Sequence, residues 1–153
     1  MTPPLALDLP ALIEELGVLL VEADQIRAYP PDYWVIVVAE TIGVDLWHAA
    51  DEAKLVLSAE LGLPPAAAEA ETWKLMLQVN ALWRENGGLR MALDEAGGTL
   101  TQTYDVPLDG LNAELLAAIV RSFSLAAWRW RQVIATEPSP AGGETSAQPT
   151  ALA

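Results

Sequence analysis

Hydrophobic positions recur every three or four residues near the start of the chain, where Leu9, Leu12, Ile13, Leu16, Leu19 and Leu20 share one face and Glu14 and Glu15 lie opposite. With Asp8 placed as a cap and Pro10 in the first turn, this spacing predicts a helix from about Leu9 to Val21. The next stretch, "EADQIRAYPPDY", ends in two prolines that cannot donate backbone hydrogen bonds, and it reads as a loop or a short edge segment. From Tyr33 the pattern becomes β-branched and aromatic with a period of two. "YWVIVVAE", "VDLWHAA" and "KLVLSAEL" form three strands of an antiparallel meander, broken at Gly43 and at "DEA". Val44, Leu46 and His48 alternate with Asp45, Trp47 and Ala49, and Leu55, Leu57 and Ala59 alternate with Val56 and Ser58. The first of these strands is apolar on both faces, so each side requires a cover.

After "GLPP" a second helix is predicted from about Ala66 to Arg84, stopped by "ENGG". Two strands follow, "LRMALDE" and "TLTQTYDVP", joined by "AGG", whose Gly97-Gly98 pair supplies the positive φ of a tight hairpin. Asn112 is the expected N-cap of a last helix, with Leu111 and Leu116 as a hydrophobic staple. Its seam of Leu116, Ile119, Phe123, Ala127, Trp130 and Ile134 commits one face to a core. Residues 1–136 read as a single domain, and residues 137–153 as a disordered tail with almost nothing to bury. The order α-β-β-β-α-β-β-α is that of an α+β domain with three helices and a twisted antiparallel sheet.

Charge narrows the partners. With 21 acidic against 8 basic side chains the net charge is -13, which repels nucleic acid and anionic bilayers. The absence of cysteine excludes disulfides, thiolate zinc sites and a cysteine nucleophile, and fits a reducing compartment. No basic residue precedes Arg27, so the start lacks the charged region of a secretory signal, and no apolar run is long enough to insert into a membrane.

Candidate chemistry is sparse. His48 is the lone histidine, and without a second His or Cys it makes a weak metal site; a packed or exposed strand residue is the simpler reading. Asp51 with Glu52, and Asp94 with Glu95, sit in predicted turns, where solvation is the usual purpose of carboxylates. Gly87-Gly88 and Gly97-Gly98 do not open a helix after a strand, so neither reads as a phosphate cradle. No catalytic residue, metal site or cofactor is assigned.

Excess apolar surface is the stronger signal. On the second helix Trp73, Met76, Leu77 and Trp83 span one arc and Leu75, Val79 and Leu82 the next, leaving a narrow stripe through Lys74, Gln78, Ala81 and Glu85 for water. A helix resting on one sheet needs a single apolar stripe. The second arc implies either a second copy of the chain or enclosure within one monomer. Burying Leu75, Val79 and Leu82 would contribute roughly 5 to 8 kcal/mol before association costs. Leu89, Met91 and Leu93 on the next strand extend the same surface into a dimer interface of six residues. Asn80 lies within the greasiest turn of this helix and is expected to bond a backbone group at a strand end or hairpin.

The segments "LMLQVNALW", "ENGG", "LRMALDEAGGTLTQTY" and "VPLDGLN", the helix running through Trp130, and the upstream "LSAELGLPP" resemble, in order and spacing, the class I type III secretion chaperones of the Tir-chaperone, CesT-like family. The resemblance spans about Leu9 to Ile134; the Pro30-Pro31 loop and the tail fall outside the pattern. It implies a bacterial, cytoplasmic, non-enzymatic homodimer that binds the N-terminal segment of a secreted effector, keeps it extended, and assists its delivery to the secretion ATPase or export apparatus. Leu12, Leu16, Trp34, Ile36, Leu46 and Trp47 are, by position, the candidate cargo contacts. The alternative is an acidic dimeric adaptor or inhibitor that grips a folded protein partner.

Overall fold

The computed structural model describes residues 6–94 and 98–136. Helix α1 (Leu9–Leu19) is followed by four strands, β1 (Ala23–Tyr29), β2 (Tyr33–Val38), β3 (Ile42–Ala49) and β4 (Lys54–Gly62). Then come α2 (Glu69–Ala81), β5 (Arg90–Leu93), β6 (Leu100–Pro107) and α3 (Ala113–Ala135). The six strands form one antiparallel sheet in the order β1-β2-β3-β4-β6-β5. The α+β class matches expectation, and the expected three-strand meander is corrected to four strands.

The added strand is β1. "ADQIRAY" carries only Ile26 and Tyr29 as large apolar residues and lacks the alternation that marks a half-buried strand. It pairs because β2 offers an unpaired edge, from Ala23 opposite Val38 to Tyr29 opposite Tyr33, with a bulge at Asp24. Backbone pairing to a neighbour, not local propensity, decides this strand.

The period-two pattern sorts the sheet into two unlike faces. Trp34, Ile36 and Val38, Ile42, Val44 and Leu46, and Leu55, Leu57, Ala59 and Leu61 are buried on the inner face. Helix α3 lies across β3 and β4, and α1 packs beside α3. The register brings Ile26 level with Ile36, and a Cβ at Gly17 would stand 3.2 Å from Ile26 Cδ1, so the missing side chain lets α1 approach the edge strand closely. Asn112 caps α3 by accepting from the Leu115 amide at 2.8 Å, and the buried Gln102 amide donates to the Phe123 carbonyl at 2.9 Å, tying α3 to β6. The seam of α3 is buried at Leu116, Phe123, Ala127 and Ile134, with Ile119 and Trp130 packed against the core.

Helix α2 ends at Ala81, three residues before the expected Arg84, and residues 82–88 run on as turns in which Gly88 N donates to Trp83 O. This repositions its arcs. Met76 is buried and Trp73 and Val79 pack on the core, whereas Leu75, Leu77, Leu82 and Trp83 are exposed. A helical wheel carried past the true C-terminus misplaces Trp83 for that reason. Asn80 does what its burial requires: Nδ2 donates to Met91 O at 2.9 Å, and Oδ1 accepts from Met91 N at 2.8 Å. One side chain thereby satisfies both backbone groups of an edge residue. Asn86 repeats the device, with Nδ2 donating to Val79 O and Oδ1 accepting from Gly88 N. The expected Gly-Gly hairpin keeps Gly98 at φ +68°; Gly97 and the tail from Glu137 lie outside the described residues.

Replacing Asn80 with Ala strands both Met91 groups and is expected to cost about 1 to 3 kcal/mol. Urea unfolding should show a lower midpoint at unchanged slope, and an unaltered midpoint would mean the two bonds contribute nothing net.

Candidate functional site

Besides scattered exposed side chains on α1 and α3, two apolar surfaces stand open among the described residues. The first lies at α2 and β5. Leu77 is 71% exposed, and Leu82, Trp83 and Leu93 are each more than half exposed. Between helix and strand opens a cavity of about 210 Å³ lined by Trp73, Met76, Leu77, Asn80, Met91 and Leu93, among others. Exposed leucines beside an apolar cavity form the kind of continuous patch that monomeric proteins avoid.

The second surface is the outer face of the sheet, over which no described helix packs. Register aligns Tyr29, Tyr33, Trp47, Val56 and Asp105 in a single row across five strands. Tyr29 and Tyr33 ring centroids are 5.4 Å apart and those of Tyr33 and Trp47 4.4 Å, both pairs tilted. Such spacing gives favourable edge and offset contacts between rings. The next rows hold Arg27, Val35, Asp45 and Ser58, then Gln25 and Val37. The Tyr33 hydroxyl donates to Asp45. Burial, followed by this bond, pushes the Tyr33 phenol up to about 12.

At the far end of the row Asp105 accepts from Lys54 at 2.9 Å and Arg90 at 2.7 Å. Partial burial raises the Asp105 carboxyl, but the bonds to Lys54 and Arg90 outweigh it and leave the group below its ordinary value. The outer face therefore grades from aromatic at β1 to ionic at β6.

The two edges of the sheet differ. At β5 the Asn80 amide occupies Met91 and α2 stands alongside. At β1 no described element covers the outward side of Gln25–Tyr29, whose residues are exposed apart from Ile26. An unpaired strand edge is a ready template for another strand.

The residues expected from the sequence divide by depth. Leu12, Leu16, Trp34, Ile36 and Leu46 are buried between helices and sheet, and Trp47 is 54% exposed on the outer face. Of the proposed dimer residues, Leu75, Leu82 and Leu93 are exposed, Val79 and Leu89 pack against the core, and Met91 is buried. Sequence reasoning missed Tyr29, Tyr33, Val35 and Val37 as a surface. The double-sided apolarity of β2 was the available signal, but the loop assignment for β1 hid Tyr29. His48 sits at the end of β3 with Nδ1 3.0 Å from Asp32 Oδ1, and among the described residues no group of three or more His, Cys, Asp or Glu could hold a metal ion. No described helix is long and apolar enough to cross a membrane.

The sequence model of the Tir chaperone protein (CesT) family matches residues 33–131, more than half of the chain. The chain belongs to this family. Membership makes it a type III secretion chaperone, one of a non-enzymatic class that binds effectors. The matched stretch opens on the first residue of β2, so α1 and β1 stand outside it. Solved structures share the fold. A chain of the ExsC–ExsE complex superposes with a TM-score of 0.69 at 17% identity, covering 84% of this chain and 94% of that one. A chain of the HopA1–SchA chaperone–effector complex gives 0.66 at 17% identity, covering 81% and 93%. The Yersinia pestis type III secretion chaperone SycH, solved with a stable fragment of YscM2, gives 0.60 at 18% identity, covering 78% and 97%. No curated protein matches the chain in sequence.

The raised Tyr33 value carries a pH prediction. The folded chaperone holds the phenolic proton more tightly than the unfolded chain, so this contribution to stability is intact below the ordinary value of 10 and is lost as pH rises from about 10 to about 12. Phenolate absorbance should show one tyrosine titrating late, and Tyr33→Phe should remove that component along with the alkaline loss of stability. Late titration surviving in Tyr33→Phe would assign it to another tyrosine.

Proposed function

We propose that the chaperone acts as a homodimer that holds the N-terminal segment of a secreted effector extended against its surface until export. The observation that carries this reading is the distribution of exposed apolar surface. It is spread over a helix flank, a sheet face and an open strand edge, which suits an unfolded chain better than a folded domain or a small molecule. Other members of the fold have been solved as a chaperone–effector complex, as an ExsC–ExsE complex and as the Pseudomonas aeruginosa ExoU–SpcU heterodimer. Here the cargo is proposed to add a strand at β1 and to lay side chains on the outer face, where Trp47 touches it directly. Leu12, Leu16, Trp34, Ile36 and Leu46 support that surface from beneath and shape it.

Dimerisation is proposed at α2 and β5. Leu75, Leu82 and Leu93 face the partner, while Val79, Leu89 and Met91 hold the helix and strand that present them. A two-fold contact brings the same patch from each copy together and closes both cavities at once. The secretion ATPase or export apparatus is the proposed recipient of the loaded complex, in a bacterial cytoplasm.

Co-expression with N-terminal segments of candidate exported proteins, followed by limited proteolysis, is expected to protect a fragment of several tens of residues; protection of only a compact folded domain would favour the adaptor reading. Leu82→Asp, on a side chain already 52% exposed in one protomer, is expected to give a folded monomer by light scattering and circular dichroism. A dimer that survives Leu82→Asp and Leu93→Asp together would move the interface elsewhere.

A further inference from the structure

We infer that the chaperone selects its cargo by sequence at β1, through the Tyr29–Tyr33–Trp47 ladder and Arg27. The occupant is an extended effector segment with an aromatic residue beside Tyr29 and, two positions away, a carboxylate or amide beside Arg27. The inference rests on the reading that cargo adds a strand to this edge.

The register dictates the pattern. On β1, Tyr29, Arg27 and Gln25 point to the outer face with Tyr33, Val35 and Val37, while Ala28 and Ile26 point inward with Trp34 and Ile36. A strand laid against β1 must continue the same alternation, because opposite residues in a sheet share a face. Its outward positions meet Tyr29, Arg27 and Gln25 in turn, and its inward positions meet Ala28 and Ile26 below α1. Three tilted rings already stand in line, and Tyr29 is the end of the line, 46% exposed with no ring on its outer side among the described residues. A fourth ring extends the stack with the same geometry. Arg27 donates to the Gln25 side chain at 2.7 Å, and among the described residues no ion pair holds its guanidinium; an acceptor placed opposite would gain a charge-assisted bond. The inward positions favour aliphatic side chains, since Ile26 is half-buried under Gly17.

A second copy of the chain fits this edge poorly. Symmetric antiparallel pairing about Ile26 sets Tyr29 against Ala23, and pairing about Arg27 sets two guanidinium groups face to face. Each copy also brings a net charge of -13. The bulge at Asp24, whose carboxylate accepts from the Glu40 amide, ends regular pairing at one side and Pro30 ends it at the other. The readable window is thus Gln25 to Tyr29.

The test is selection from a display library of random short peptides on the full-length wild type, Tyr29→Ala and Arg27→Glu. All three proteins should remain folded, since both side chains are exposed, and circular dichroism checks this. The wild type is expected to enrich an aromatic residue with an acid or amide two positions away. Tyr29→Ala should lose the aromatic preference and bind the wild-type consensus about threefold to tenfold more weakly. Arg27→Glu should exchange the acid for Lys or Arg. N-methylation at alternate residues of the consensus peptide should abolish binding by removing ladder donors. One consensus shared by all three proteins, or binding indifferent to N-methylation, overturns the inference. Failure to enrich any peptide while effector segments are still protected in co-expression overturns it too but leaves the chaperone reading standing; failure of both removes that reading as well.

Discussion

A six-stranded sheet has two faces, and the described helices pack on one of them. Helix α3 crosses β3 and β4, α1 packs beside it, and the alternate residues of β2, β3, β4 and β6 beneath them are buried. Everything else follows from that asymmetry. The inner face consumes the strongest apolar residues and provides the stability, and the outer face keeps apolar and aromatic groups that no described element covers. A strand such as "YWVIVV", apolar on both sides, is costly to leave open unless something else comes to cover it.

The third helix of the layout does a different task. Helix α2 buries little beyond Met76 and is held to β5 largely by the paired bonds between Asn80 and the Met91 backbone. An amide is well suited here because it carries a donor and an acceptor at the spacing of a peptide group, and so completes an edge strand as a neighbouring strand would. Closing the β5 edge in this way leaves β1 as the open one. The same interaction therefore fixes where α2 sits and presents its leucines outward.

Charge tempers the exposed apolar surface. A net charge of -13 keeps identical copies apart except where a large apolar contact outweighs repulsion. On the outer face the ionic group of Lys54, Arg90, Asp105 and Glu52 neutralises itself at one end, and the aromatic row occupies the other.

Much of this was legible from the order of residues alone. The period of two from Tyr33 to Leu61 placed three strands within a residue or two, Asn112 marked the start of α3, and Asn80 could be assigned a backbone partner because a buried amide must have one. Those features rest on interactions between near neighbours, or on a burial cost that applies wherever the partner lies. Tertiary structure decided what depends on distant surfaces. Strand β1 exists because β2 leaves an edge unpaired, and "ADQIRAY" carries no pattern that announces it. The end of α2 at Ala81 turned Trp83 outward and the packing of α2 on Met76 left Leu77 exposed, whereas Leu16, Ile36 and Leu46 sank completely into the core. Alternation tells which residues share a face, but only the packed fold tells which face is covered, because covering is a property of two elements and a pattern belongs to one.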